Sequence, residues 1–182
     1  MEFLWIILGL VVVIAVWIIG VRNTFVRLSI NIEEGMASID NQLKRRYDLI
    51  PNLVNTVKGY AKHEKELLEG ISQARAGLIS NNMDEKMQAT QETSAFLGRL
   101  LAIAEAYPEL KANTSFEKLQ VELVGTEDKI SYARQYYNTS VGTYNKKVLI
   151  FPSSIIASMF GFSKKPFFEV AEVEKQNVKV EF

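Results

Sequence analysis

Three observations predict an all-α fold, with a single N-terminal transmembrane helix continuous with a long antiparallel four-helix bundle. Phe3 to Val21 contain no charged or strongly polar side chain. Beyond Arg22, apolar residues recur at steps of three and four, the spacing that places them on one face of a helix. Four prolines and ten glycines in 182 residues leave long stretches free of helix breakers.

The apolar stretch defines an anchor over residues 1–21. At 1.5 Å per residue Phe3 to Val21 cover about 28 Å, close to the roughly 30 Å of a bilayer's hydrocarbon core. A cleaved signal peptide would call for a basic leading region and an A-x-A-like exit, and neither precedes Arg22. Trp5 and Trp17 stand near the two ends, where indole rings favour the interface. Arg22 and Arg27 on the C-terminal side give a positive-inside bias that puts the body in the cytoplasm, with a periplasmic or external body as the alternative.

Residues 22–150 form the predicted bundle, with helices at about 22–49, 51–78, 85–107 and 115–150. The first carries Val21, Phe25, Leu28, Ile32, Met36 (or Gly35), Ile39, Leu43 and Tyr47 on one stripe, so the membrane helix is expected to continue into water. A rod from Phe3 to Leu49 would be about 70 Å long. It is expected to stop in KRRYDLIPN, because Pro51 lacks a backbone donor and disfavours helical geometry at Ile50. Asp48 then caps a second helix that runs to about Leu78, and SNNMD over Ser80 to Asp84 makes the next turn. A third helix ends at Pro108. Thr114-Ser-Phe-Glu117 fits a capping box and opens the longest soluble helix, whose stripe includes Phe116, Leu123, Ile130, Tyr137, Val141 and Tyr144. Its 3-4 alternation is coiled-coil-like. Residues 151–168 form an apolar and aromatic membrane-proximal segment with one or two further helical turns, and 169–182 form a tail. Short connections between four helices put the KRRYDLIPN turn and the Tyr107 to Ser115 turn together at the distal tip.

Charge is balanced, with 21 cations against 21 carboxylates, so no global basic field exists to hold nucleic acid. Cysteine is absent, which excludes disulfides, thiolate metal sites and thiol catalysis. His63 is the single histidine. An H-E-x-x-H site would need a second histidine where Leu67 stands, and a Glu-x-x-His pair would need Glu where Tyr60 stands. No phosphate loop or nucleophile elbow occurs, and adjacent carboxylates such as Glu33 and Glu34 do not share a helix face. The expectation is a non-enzymatic chain with no metal, no cofactor, no small-molecule substrate and no nucleic-acid partner.

Two groups of residues are candidates for contact. Lys44, Arg45, Arg46 and Asp48, with Lys111 from the other distal loop, form a polar tip. Such cations also suit the end of a helix and can pair within the chain, with Asp48, Glu105 or Glu109. Phe151, Ile155, Ile156, Met159, Phe160, Phe162, Phe167 and Phe168, with Lys164 and Lys165 among them, have the composition of an interfacial segment. Capping the lower end of the bundle explains the same apolar residues equally well.

Asn41-Gln-Leu-Lys-Arg-Arg-Tyr-Asp-Leu-Ile-Pro-Asn-Leu53, Val57-Lys-Gly-Tyr-Ala-Lys-His-Glu64, Leu97-Gly-Arg-Leu-Leu101, Glu105-Ala-Tyr-Pro108, Leu110-Lys-Ala-Asn113, Tyr144-Asn145 and Phe151-Pro152 together resemble the LemA family. The resemblance runs from the span to about Phe168. It implies one N-terminal membrane helix, an antiparallel helical bundle and a membrane-organising role, and it brings no catalytic residues. Two functions are therefore expected. One is a scaffold that self-assembles at the lipid bilayer as a homo-oligomer and can remodel it. The other is a regulatory adaptor whose tip docks a membrane protease, sensor or envelope enzyme.

Overall fold

The computed structural model describes residues 1–58 and 83–168. Every regular element among the described residues is a helix: α1 (Glu2–Lys58), α2 (Met83–Ala106), α3 (Pro108–Lys111), α4 (Thr114–Leu149) and α5 (Ser153–Met159). His63, the C-terminal part of the expected second helix, residues 80–82 of the expected SNNMD turn, and the tail after Phe168 lie outside the described residues. Met83 and Asp84 open α2, where Asp84 and Glu85 place carboxylates at the positive end of the helix dipole.

The expected stop at Ile50 does not occur. α1 runs through Pro51 as one 57-residue helix. An interior proline costs about 3 kcal/mol of helix stability, through one lost hydrogen bond and crowding of its ring against the preceding turn. Ile50, Leu53 and Val54 are each 2% exposed and Val57 is fully buried, so ending the helix would forfeit four packed side chains worth about 1.5–3 kcal/mol each. Burial therefore wins. Pro51 itself is exposed, so the missing bond lies on the solvent side.

The chain divides into two compact units, one built from Met1–Ala37 with Arg134–Phe167, the other from Ser38–Ala133 with Phe168. Long helices make contacts level by level, so α1 and α4 each contribute to both. In the second unit Ile50, Leu53, Val54 and Val57 of α1 meet Phe96, Leu97 and Ala104 of α2, Leu110 of α3, and Phe116 and Leu123 of α4. Polar contacts fix the sense of pairing there. Asp40 meets Lys86 and Arg46 meets Ser94, so α1 and α2 ascend together. Arg45 lies nearer Glu122 and Arg46 nearer Glu127, which joins the same helix faces of α1 and α4.

α2 buries Thr90 and Thr93, and each hydroxyl donates to the carbonyl four residues earlier, at 2.7 Å. A partly polar face is thus satisfied within its own helix. Buried Lys86 is held by both oxygens of Asp40, at 2.7 and 2.9 Å.

Helix α4 begins where expected, but its cap is Asn113 and not Thr114. Asn113 Oδ1 accepts from the backbone amides of Ser115 at 2.9 Å and Phe116 at 3.2 Å, the N2 and N3 donors that an N-cap satisfies. Thr114 already lies in the first turn. Asn113→Ala is expected to lower stability by about 1 kcal/mol, and Thr114→Ala by less than half of that, in chemical denaturation of the full chain. Equal losses would restore the threonine as cap.

In the first unit α1 crosses α4 at Gly35. A side-chain carbon there would sit 3.1 Å from Tyr137 Cα, so the absence of a Cβ is what lets the two backbones approach. Along α4, Phe116, Leu123, Thr126, Ile130, Ala133, Tyr137, Val141 and Tyr144 are all buried, the stripe the spacing predicts.

Candidate functional site

The first unit joins the bare apolar N-terminal third of α1 to the segment that follows α4. Along α1 the most apolar window has none of its surface buried, and the helix is long and apolar enough to cross a membrane. Trp5 is 70% exposed and Trp17 43%. One turn beyond Val21, Phe25 is fully buried. Its ring stacks on Phe162, with centroids 4.8 Å apart and planes 17° apart, and meets Tyr144 edge-on at 5.7 Å. The Arg22 guanidinium lies 5.6 Å from the centre of the Phe160 ring.

What brings Phe162 back to α1 is the end of α5. The Gly161 amide donates to the Ser158 carbonyl and the Phe162 amide to that of Ala157, the paired bonds of a Schellman motif. This closure needs a left-handed residue, and Gly161 has φ of 73°. The chain beyond is fixed by Asn145. Its side-chain amide donates to the Lys165 carbonyl, and its side-chain oxygen accepts from the Lys165 amide, both at 2.8 Å. Tyr137 adds a bond from its hydroxyl to the Pro166 carbonyl at 3.1 Å. Burial raises the Tyr137 pKa above its ordinary value, so the phenol keeps its proton and remains a donor. Burial also raises that of Tyr144, against a hydrogen bond with Ser29 that lowers it.

Residues 151–168 therefore divide into two sets. Ile156 and Phe168 are buried, and Phe162 turns inward onto Phe25. Phe151 (75%), Ile155, Met159, Phe160 and Phe167 are exposed. Leu149 and Ile150, expected as the last residues of the helix, are exposed just before them in sequence. Their place at the helix terminus, just before Pro152, was the available signal. Lys164 and Lys165 are exposed.

The other expected group is dispersed. Lys44, Arg45 and Arg46 lie within α1 and not at a turn, because the helix continues past them. Arg46 is 2% exposed. Its Nη2 donates to Ser94 Oγ at 2.6 Å, and its Nη1 lies 3.1 Å from Glu127 Oε2, off hydrogen-bond alignment. Arg45 reaches Glu122 only at 3.8 Å, between two half-exposed side chains. The intrachain partners are thus carboxylates of α4, in place of the Asp48, Glu105 and Glu109 expected. Lys44, Asp48 and Lys111 are exposed. Among the described residues no group of three or more His, Cys, Asp or Glu side chains is placed to hold a metal ion.

Residues 35–182 match the LemA family. The chain is 25% identical over 174 residues to magnetosome protein MamQ 2 of Paramagnetospirillum magneticum, covering 81% of this chain and 64% of that protein. It is 25% identical over 162 residues to protein LemA of Metamycoplasma hominis, covering 88% of this chain and 74% of that one. MamQ of Magnetospirillum gryphiswaldense is 24% identical, with 80% and 64% covered. The chain thus spans a little under two thirds of the magnetosome relatives' length. Tyr144, Asn145 and the exposed Phe151 belong to the motifs on which the resemblance was first read, and a family match across most of the sequence agrees with them: the chain belongs to the LemA family.

Proposed function

We propose that this chain is a non-enzymatic, single-pass membrane protein whose four antiparallel helices form a scaffold that self-assembles as a homo-oligomer and can remodel the bilayer. The carrying observation is the exposure of Leu149, Ile150, Phe151, Ile155, Met159 and Phe160 in one short stretch, with Phe160 under Arg22 of α1 just beyond the bare apolar stretch. An anchor alone leaves a body free to tilt. A second apolar contact beside the anchor fixes height and tilt, so that neighbouring copies present matching faces and an ordered array can bend the membrane. Relatives named LemA and MamQ, neither an enzyme name, support the non-catalytic reading. The positive-inside bias of Arg22 and Arg27 supports a cytoplasmic body.

Cross-linking of the full chain in native membranes is expected to trap assemblies larger than a dimer. Phe151→Ser with Phe160→Ser should lower the trapped fraction several-fold while helix content stays unchanged. Trapping that is indifferent to both substitutions would remove the patch from the mechanism. The adaptor reading keeps some support in the exposure of Lys44, Asp48 and Lys111, and recovery of one foreign protein in a one-to-one complex would favour it.

A further inference from the structure

Charge is balanced over the chain and segregated within it. No Asp or Glu occurs between Glu2 and Glu33, or between Asp128 and Glu169. Apart from Glu2, Glu33 and Glu34 on α1, every Asp, Glu, Lys or Arg of the first unit is therefore a cation, and none of those carboxylates lies within 11 residues after Val21. Arg22, Arg27, Lys146, Lys164 and Lys165 are exposed and Lys147 is half-buried, and none of the six has a carboxylate partner among the described residues. The fold gathers residues that are far apart in sequence. The Asn145 bonds hold Lys165 beside Lys146, the Ser153 hydroxyl donates to the Lys147 carbonyl at 2.7 Å, and Arg22 reaches Phe160. Arg22 and Arg27 follow Val21 by about 2 and 9 Å along the helix, within about one Debye length of a bilayer surface at physiological salt.

We infer that this end of the protein binds anionic phospholipid headgroups, with Arg22, Arg27, Lys146, Lys147, Lys164 and Lys165 contacting phosphates while Phe151, Ile155, Met159 and Phe160 enter the acyl boundary. The inference rests on the anchored reading above and adds the class of lipid to it. Cations without internal partners and exposed aromatics on one unit match a surface that is negative outside and apolar beneath. A soluble acidic protein would complement the cations and leave the aromatics uncovered.

Trp17 lies near this end of the apolar stretch and reports on the lipids around it. In a Trp5→Phe background it is the sole tryptophan. The full chain is reconstituted in equimolar phosphatidylcholine and phosphatidylglycerol, with one or the other brominated. Quenching of Trp17 is expected to report a local phosphatidylglycerol to phosphatidylcholine ratio of about five to one, the factor for roughly one effective cation near the surface. The preference should fall at least twofold in a Lys146→Gln, Lys147→Gln, Lys164→Gln, Lys165→Gln variant, which keeps only Arg22 and Arg27 of the six. It should persist in a control with Lys44, Lys111, Lys118 and Lys129 changed to Gln. Equal quenching by the two lipids, or a preference lost equally in the control, overturns the headgroup site and leaves the anchor standing. No quenching by either lipid overturns both.

Discussion

Phe25→Ala is expected to cost about 4 kcal/mol in the first unit, the largest single loss predicted for this chain. Phe25 is fully buried between Phe162 and Tyr144. Removing the ring leaves a cavity and also breaks two aromatic pairs, each worth about 0.5–1.5 kcal/mol beyond its area. The second consequence is specific to this fold. Phe162 is the inward contact that follows the α5 turn, so without Phe25 the segment from Gly161 to Pro166 is left to the backbone bonds of that turn and to the Asn145 and Tyr137 bonds. Hydrogen exchange on the full chain in nanodiscs should show protection lost at residues 160–166, with the core around Val57 and Phe116 unchanged. Phe25→Leu should restore most of the protection. Uniform loss across both units would show that the two cores unfold together.

Arg46 carries the second large effect. Arg46→Ala is expected to destabilise the second unit by about 3 kcal/mol, through lost packing of a long buried stem and loss of its ionic contacts. Glu127→Gln should cost no more than about 1 kcal/mol, because that carboxylate is half-exposed and water replaces its partner. Arg46→Met separates charge from volume. Ser94 Oγ also donates to the Thr90 carbonyl at 3.0 Å, and Glu127 can be solvated, so neither of these two groups is stranded when the guanidinium goes. The methionine variant should therefore fall within about 1 kcal/mol of the parent in urea denaturation. If it loses as much as alanine, the charge and not the packing holds the site.

Much of this architecture was readable beforehand, and the failures have physical causes. The inward stripe of α4 was legible because its period holds over many turns and its residues are unambiguously apolar. The path of α1 through Pro51 was not, since a local cost of a few kcal/mol was set against burial that depends on distant partners. Thr114 and Asn113 are both good caps, and only the backbone decides which one serves. Arg46 had a signal: it continues the line Ile39, Leu43, Ile50, Leu53 at helical spacing, a position a solvated cation would not occupy. The apolar segment after α4 was evident from composition. Its division into inward Ile156, Phe162 and Phe168 and outward Phe151, Ile155, Met159 and Phe160 required the turn at Gly161 and the position of Phe25.

Asn145 grips position 165 entirely through main-chain atoms. Any residue except proline can satisfy that grip, so the side chain displayed there is free to drift without penalty to the fold. If Lys165 meets headgroups as inferred above, exchanging it for a neutral or acidic residue would retune which membranes are favoured, while the asparagine stays put. Evolution would see the fastening and the thing fastened as separate traits.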